Sequence, residues 1–332
     1  MNIMMLGSGA WGTALANLLC GNGHQVILWN RSAERVKKMA ETRLNPRLEG
    51  VQLHPAMLFT SEYSAAADCE MVVFATPSFA IRETARQVKP FLRPDAVMVS
   101  VTKGVEAKTG LRMTQIIEEE TGRVAVALSG PSHAEEVAMG QPTGCVAACE
   151  EISLAERVQD AFMNEVFRVY SNSDVIGVEL SAAMKNVIAL CAGICDGLGF
   201  GDNSKALLIT RGLAELAGLV VALGGHAATF SGLAGVGDMI VTCTSVHSRN
   251  RRAGIYIGQG VPVEKAMEQV GAVVEGYYAA GSVWQLSRKA GVDMPICQQA
   301  YAVLYEGKQP AETVHSLMGR EKKQEFQSLG WS

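Results

Sequence analysis

The sequence predicts an α/β N-terminal half built on a mostly parallel sheet, followed by an all-α C-terminal half. Three observations predict it. Short β-rich runs alternate with helical patterns as far as Tyr170, a glycine loop separates the first strand from the first helix, and strand signals become scarce from Val175 onward. Alternation of this kind puts helices on both faces of a sheet, because each parallel crossover needs a helix-length connection.

The first strand, Ile3–Leu6, runs into Gly7-Ser8-Gly9-Ala10-Trp11-Gly12, which opens a helix over Trp11–Asn22. Gly7 permits the tight turn, Gly9 lets the backbone approach a pyrophosphate, and Gly12 lets the helix pack on the strand. The helix N-terminus then offers unpaired N–H groups and a positive dipole end to the anion. Gly23-His24 stops that helix before the second strand, Gln25–Trp29, and this βαβ setting favours a dinucleotide site over an ordinary turn. A helix over Ala33–Glu41 follows. Strands are then expected at Met71–Ala75, Ala96–Val101, Val124–Leu128 and Gly144–Ala148, with Arg168–Tyr170 as a last one. Helices at Phe79–Val88 and Arg112–Glu120 lie between them.

Past this point the pattern turns helical. Val178–Cys195 has apolar residues at helical spacing with little polar relief, as a buried helix would. Helices over Ala206–Leu223, Arg251–Ile257, Tyr277–Ala290 and Gln298–Tyr305 come after it. A boundary at Asn172–Asp174 divides the chain into a dinucleotide-binding domain, residues 1–173, and a helical substrate-binding domain, residues 174–332. The polar residues after Arg320 are expected to fray.

The 332 residues are 48 % hydrophobic and 19 % charged, which excludes a disordered chain and suits two domains. A formal net charge of −4 without a long basic block argues against nucleic-acid binding, yet leaves room for a local cationic pocket. The eight cysteines show no CxxC or Cys/His zinc spacing; they read as buried free thiols, and no metal is expected. The N-terminal Met-Asn-Ile-Met-Met-Leu lacks a basic n-region and reads as a strand. No apolar run is expected to reach the ~18 residues of a membrane span, so a cytoplasmic protein is expected.

Several polar residues interrupt this apolar pattern. An NAD site usually carries Asp or Glu ~20 residues past the glycine loop. Arg31 fills that slot, and a guanidinium can pair with a 2′-phosphate and stack on adenine, so NADPH is expected over NADH. A solvated surface arginine is the competing reading. Thr76-Pro77-Ser78, Thr102-Lys103-Gly104 and Ser129-Gly130-Pro131-Ser132 each follow a strand, at the sheet edge where ligands bind. Lys103, Gly130 and Ser132 are candidates there, against plain turns and a surface lysine.

Lys185 is the most unusual residue. It stands in Leu180-Ser-Ala-Ala-Met-Lys-Asn-Val-Ile-Ala-Leu, where an unpaired ammonium would be costly to bury. A dehydrogenase needs a proton donor at the developing alkoxide, and such a lysine can serve. The competing reading is a structural ion pair with Glu179 or Asp238. Asp238, after Gly235-Val236-Gly237, could orient Lys185. Ser248, Arg249 and Asn250 at a helix start combine donors, charge and dipole in a way that suits a phosphate, or else form a solvated basic turn.

Longer motifs converge on one family. Ala-Met-Lys-Asn-Val-Ile-Ala (183–189), Cys-Asp-Gly-Leu-Gly-Phe-Gly (195–201), Thr-Arg-Gly-Leu-Ala-Glu (210–215), Gly-Val-Gly-Asp (235–238) and Ser-Arg-Asn-Arg (248–251) are the most specific. With the glycine loop and Val273-Val274-Glu275-Gly276-Tyr277, they make the chain resemble the bacterial NAD(P)-dependent sn-glycerol-3-phosphate dehydrogenases. The resemblance implies reversible reduction of dihydroxyacetone phosphate to sn-glycerol 3-phosphate, feeding phospholipid synthesis. It also implies a Rossmann-type N-terminal domain, an all-helical C-terminal domain, an active site between them, and a homodimer. On matching positions Lys185 would be the acid/base, Lys103 would meet substrate and nicotinamide, and Asp238 would lie near the reacting hydroxyls. Gly130 and Ser132 would touch substrate, and Ser248, Arg249 and Asn250 would bind its phosphate, Arg249 also meeting coenzyme. Ala10, Trp11, Arg31, Ala134, Val273 and Glu275 match coenzyme-contacting positions, although many members carry histidine where Arg31 stands. Two rival readings are a related 3-hydroxy acid dehydrogenase and an NADPH-sensing protein without turnover.

Overall fold

Strand β1 (Asn2–Leu6) is buried without interruption from Ile3 to Leu6, as a strand covered on both faces must be. The same unbroken burial marks β4 (Met71–Phe74), β5 (Val97–Ser100) and β6 (Ala125–Ser129). With β2 (Gln25–Trp29), β3 (Leu58–Thr60), β7 (Thr143–Ala148) and β8 (Phe167–Asn172) they form one sheet, in the order β3-β2-β1-β4-β5-β6-β7-β8. The structure, a computed structural model, describes residues 1–322 and 324–325. Most of the expectation for the tail beyond Arg320 therefore lies outside the described residues.

Every neighbouring pair of strands is parallel except β6 and β7. The mostly parallel α/β sheet is thus as expected, with one reversal that periodicity does not encode. Helices α1 (Ala10–Gly21), α2 (Ala33–Thr42), α3 (Ile81–Val88), α4 (Met113–Thr121) and α6 (Ile152–Phe162) lie on crossovers between parallel strands, and α5 (Ala134–Ala138) lies on the connection between the antiparallel β6 and β7. Strand β3 and helices α5 and α6 are additions to the expected elements. Helix α6 carries a readable signal, since its buried Ala155, Val158, Ala161 and Phe162 recur at helical spacing.

The helical unit contains α7 (Val175–Gly197), α8 (Asp202–Ala222), α9 (Ala227–Phe230), α10 (Asp238–Thr244), α11 (Arg249–Gly258), α12 (Val263–Val270), α13 (Glu275–Ala290), α14 (Pro295–Tyr305) and α15 (Pro310–Met318). Two compact units divide the chain as residues 1–103 with 112–175, and residues 104–111 with 176–332. The expected division at 173/174 differs from this in one substantial way. The stretch Gly104–Leu111 groups with the helices, where Val105 is buried among their apolar side chains and its carbonyl accepts from Ser282 Oγ at 3.4 Å.

Two stretches, Val175–Gly197 and Ala227–Thr244, are long and apolar enough to cross a membrane, which corrects the expectation that no run reaches that length. In Val175–Gly197, 94 % of the apolar window is packed inside the protein, and the helix carries buried Glu179 and Lys185, as a core helix can; 39 % of the second window is buried. Seven cysteines are buried, Cys195 is half-buried, and all eight are free thiols.

Glu215 joins α8 to α14. Its carboxylate accepts from Ile296 N at 2.8 and 3.1 Å and from Cys297 N at 3.2 Å, closing the first turn of α14. Burial nevertheless dominates and pushes this carboxyl up to about 7 from 4.5. The folded state therefore holds a proton that the unfolded state releases above pH 4.5, so stability falls as pH rises from 4.5 through 7. We expect Glu215→Gln to remove this loss, on the order of 3 kcal/mol. Denaturant unfolding at pH 5 and pH 8 checks it, and an equal pH dependence in both proteins would refute the assignment.

Candidate active site

Five turns meet at the C-terminal edge of the sheet in the α/β unit, those after β1, β2, β4, β5 and β6. The first is the glycine loop. Gly7 has φ +125°, and a Cβ there would stand 2.7 Å from Ala75 O and 2.9 Å from Thr76 N. A Cβ on Gly12 would stand 2.1 Å from Gly7 O, so the helix start must ride on the loop itself. A Cβ on Gly9 would meet nothing within 4 Å. The protein's own packing therefore demands glycine at 7 and 12, whereas at 9 it leaves an open cradle.

The neighbouring turns are bonded in sequence along the edge. Gly7 N donates to Trp29 O at 3.2 Å, and Asn30 Nδ2 donates to Ser8 Oγ, which sets Arg31 beside the loop with its side chain exposed. Thr102 Oγ1 donates to Thr76 O at 2.7 Å, tying the turn after β4 to that after β5. Lys103 Nζ donates to Gly130 O at 2.9 Å and lies 3.5 Å from Ser132 Oγ, while Ser132 Oγ donates to Gly130 O at 2.8 Å. Ala134 opens α5 just beyond. The predicted Gly7, Gly9, Ala10, Trp11, Gly12, Arg31, Lys103, Gly130, Ser132 and Ala134 are thus gathered on one edge.

These residues fit a dinucleotide. The cradle at Gly9 adjoins the N-terminus of α1, and the buried Trp11 Nε1 and Thr76 Oγ1 have no hydrogen-bond partner among the described residues. Unsatisfied buried polar groups beside an anion-binding helix end are what a polar ligand would complete. Among those residues no group of three or more His, Cys, Asp or Glu side chains is arranged to hold a metal ion.

A second cluster lies in the helical unit. Lys185, on α7, is 3 % exposed. Its Nζ donates to Thr242 Oγ1 at 2.7 Å and to Asn186 Oδ1 at 3.0 Å, and stands 3.3 Å from Asp238 Oδ1. Asp238 is 2 % exposed and opens α10 directly after the π-helical turn Leu233–Gly237. The Thr242 hydroxyl, one turn on, lies 2.6 Å from Asp238 O and 3.2 Å from its Oδ1 and can donate to either. A buried ammonium is thereby compensated by a carboxylate and held in direction by two neutral acceptors.

The start of α11 is fixed against the same helix. Asn250 Nδ2 donates to Asn186 Oδ1 at 2.9 Å, and Asn250 Oδ1 accepts from Gly276 N, one residue past Glu275 and three past Val273, at 2.9 Å. Ser248 caps α11, its Oγ accepting from Arg251 N at 3.2 Å. The intrahelical ladder begins at Arg252 N, which donates to Ser248 O, so the main-chain N–H groups of Arg249 and Asn250 belong to the first turn, ahead of that ladder. Asn250 acts mainly as a strut, and its side-chain amide is engaged at both ends.

Helices α7 and α11 approach closely enough to touch main chain to main chain. A Cβ on Gly193 would stand 2.0 Å from Arg251 O, on Gly254 2.0 Å from Leu190 O, on Gly197 2.3 Å from Ile255 O, and on Gly258 2.4 Å from Ile194 O. Lys185 and the α11 turn are therefore registered on one rigid pair of helices. Asn186 and Thr242 were not singled out from sequence. Asn186 follows Lys185 directly, and Thr242 shares a helix face with Asp238 four residues earlier, a spacing that could have found it.

The chain is similar to known proteins over nearly its whole length. Residues 2–155 match the family model of the NAD-dependent glycerol-3-phosphate dehydrogenase N-terminus, and residues 174–315 match that of its C-terminus. The chain is 48 % identical over 330 residues to a glycerol-3-phosphate dehydrogenase (NAD(P)+) of Thermoanaerobacter, covering 99 % of this chain and 100 % of that one. With the enzyme of the same name from Geobacillus thermodenitrificans the identity is 49 % over 334 residues, covering 99 % and 97 %. Among solved structures, glycerol-3-phosphate dehydrogenase from Coxiella burnetii is similar with a TM-score of 0.93 at 35 % identity, covering 96 % of this chain and 99 % of that one.

Proposed function

The chain belongs to the NAD-dependent glycerol-3-phosphate dehydrogenase family, and on that premise we propose that it reversibly reduces dihydroxyacetone phosphate to sn-glycerol 3-phosphate using NAD(P)H. The observation that carries this reading is the buried Lys185 ammonium, paired to Asp238 and aimed by Thr242 and Asn186. When bound, the reduced nicotinamide supplies the hydride. Lys185 gives a proton from Nζ to the substrate C2 oxygen as negative charge develops there, and takes it back in the reverse reaction. Asp238 balances the positive charge of the Lys185 ammonium, and Thr242 keeps Nζ in one direction. Lys103, held over Gly130 and Ser132, places a second cation for the substrate and the nicotinamide.

The phosphate is bound by the first turn of α11, through the Ser248 hydroxyl, the Arg249 guanidinium and the main-chain N–H groups of Arg249 and Asn250. Helix dipole and charge-assisted bonds favour a dianion at that place. Gly7, Gly9, Ala10, Trp11, Gly12, Arg31, Ala134, Val273 and Glu275 hold the coenzyme, with Arg31 selecting the 2′-phosphate of NADPH. The enzyme works as a cytoplasmic homodimer, and its product feeds glycerophospholipid synthesis.

Loss of NADPH absorbance with dihydroxyacetone phosphate as acceptor, compared with small 3-oxo acids, tests the reading; turnover of the acids alone would overturn it. Arg31→Asp is expected to shift the ratio of catalytic efficiencies about 10- to 100-fold towards NADH, since a carboxylate repels the 2′-phosphate. An unchanged ratio would remove Arg31 from that role. Arg249→Ala is expected to raise KM for dihydroxyacetone phosphate about 10- to 100-fold, and that for NADPH much less. Equal losses would misplace the phosphate site.

A further inference from the structure

The geometry points to Asp196 as a positioning residue for phosphate recognition, acting through Arg251. This inference rests on the reading of the α11 turn as the phosphate site. Arg251 directly follows Arg249 and Asn250 and adds to the apparent basic charge of the turn, but its guanidinium is committed elsewhere. Its Nε donates to Asp196 Oδ2 at 2.7 Å, and its Nη1 lies 3.5 Å from Ser245 O. The other oxygen of the same carboxylate, Oδ1, stands 2.6 Å from Lys205 Nζ on α8. One carboxylate near the end of α7 therefore gathers the first turns of α8 and α11 and, through Arg251, the loop before α11.

The three side chains are 15–19 % exposed, so these bonds are shielded from water far better than a surface ion pair. Both oxygens of Asp196 are used by cations, and a carboxylate shared in this way fixes direction as well as distance. The glycine contacts between α7 and α11 set how closely the helices approach. Rotation of the α11 turn about that contact is left to side chains, of which the Asn250–Asn186 bond is one. The Asp196–Arg251 bond adds a second tie at the residue next to the phosphate-binding N–H groups, without which the turn can pivot about the first. Asn250, by contrast, is tied to Asn186 beside Lys185, so the catalytic group keeps its own anchor when Asp196 is lost.

The test compares dihydroxyacetone phosphate with dihydroxyacetone, which lacks the phosphate, in Asp196→Asn, Arg251→Gln and the double variant. Each single variant is expected to raise KM for the phosphorylated substrate about 10- to 100-fold, as a misplaced binding group does. Inhibition by inorganic phosphate should weaken in parallel, while kcat/KM for dihydroxyacetone changes by less than about 2-fold. The double variant should be no worse than either single one, since both remove the same bond. Equal losses on both substrates, or no loss, would overturn the role of Asp196. Arg249→Ala serves as the reference: should it also fail to separate the two substrates, the phosphate reading falls and this inference with it. If Asp196→Asn does not fold, as judged by thermal unfolding, Arg251→Gln makes the same comparison alone.

Discussion

Replacing Lys185 by alanine is expected to lower kcat by about 10²–10⁴ while KM for NADPH stays near its original value. The size follows from what the site loses. Nζ is the cation aimed by Thr242 and Asn186, and alanine leaves no proton donor at that point. The substitution also strands Asp238, 2 % exposed, without its ammonium. Removing one member of a buried pair commonly costs about 3–5 kcal/mol, so part of the damage will appear as lost stability. Lys185→Met, which keeps the bulk, together with Asp238→Asn, which removes the stranded charge, separates the two effects. The paired variant should regain a normal unfolding curve yet remain catalytically poor. Near-normal turnover in either variant would take Lys185 out of the chemistry.

The second large effect concerns the seam between α7 and α11. Gly254→Ala would place a methyl 2.0 Å from Leu190 O, 2.8 Å from Ile194 N and 2.9 Å from Gly193 Cα. All three are main-chain atoms, which cannot rotate away as the end of a side chain can. The helices must part, and a loss of more than about 3 kcal/mol is expected, with substrate KM rising in whatever protein still folds. Gly218→Ala on α8 is the matched control, since its Cβ would meet only Val292 Cγ1, at 3.8 Å. Alanine there should stabilise the helix by about 0.5–1 kcal/mol. Thermal unfolding of the two variants checks both predictions, and similar melting curves would refute the steric account.

The residues legible in the sequence were those whose chemistry conflicts with their local pattern. Lys185 breaks an apolar helix, and Gly7 and Gly12 stand where only a hydrogen side chain fits, so each could be read from neighbours alone. Thr242 and Asn186 are ordinary residues in ordinary places. Thr242 acquires meaning from a partner 57 residues away along the chain, and the Asn186–Asn250 bond spans 64 residues. The reversal of β7 escaped for a related reason, because direction is set by the path of a connection while periodicity reports only which face is buried. Strand β3, three residues long and exposed at Leu58, is too short for a periodic pattern to register. Charge alone does not sort Arg249 from Arg251, because the ion pair that commits Arg251 reaches back 55 residues to Asp196.

The excursion of Gly104–Leu111 has a practical bearing on any attempt to cut or graft this enzyme. Val105 fills a socket among the C-terminal helices, and Gly110 lies against Leu286, although both belong to the amino-terminal stretch of sequence. A fragment ending near residue 173 would carry that plug bare, and the complementary fragment would be missing it. Exchanging the coenzyme half for one of different preference would succeed only if the recipient's own loop were stitched back into the transplanted gene.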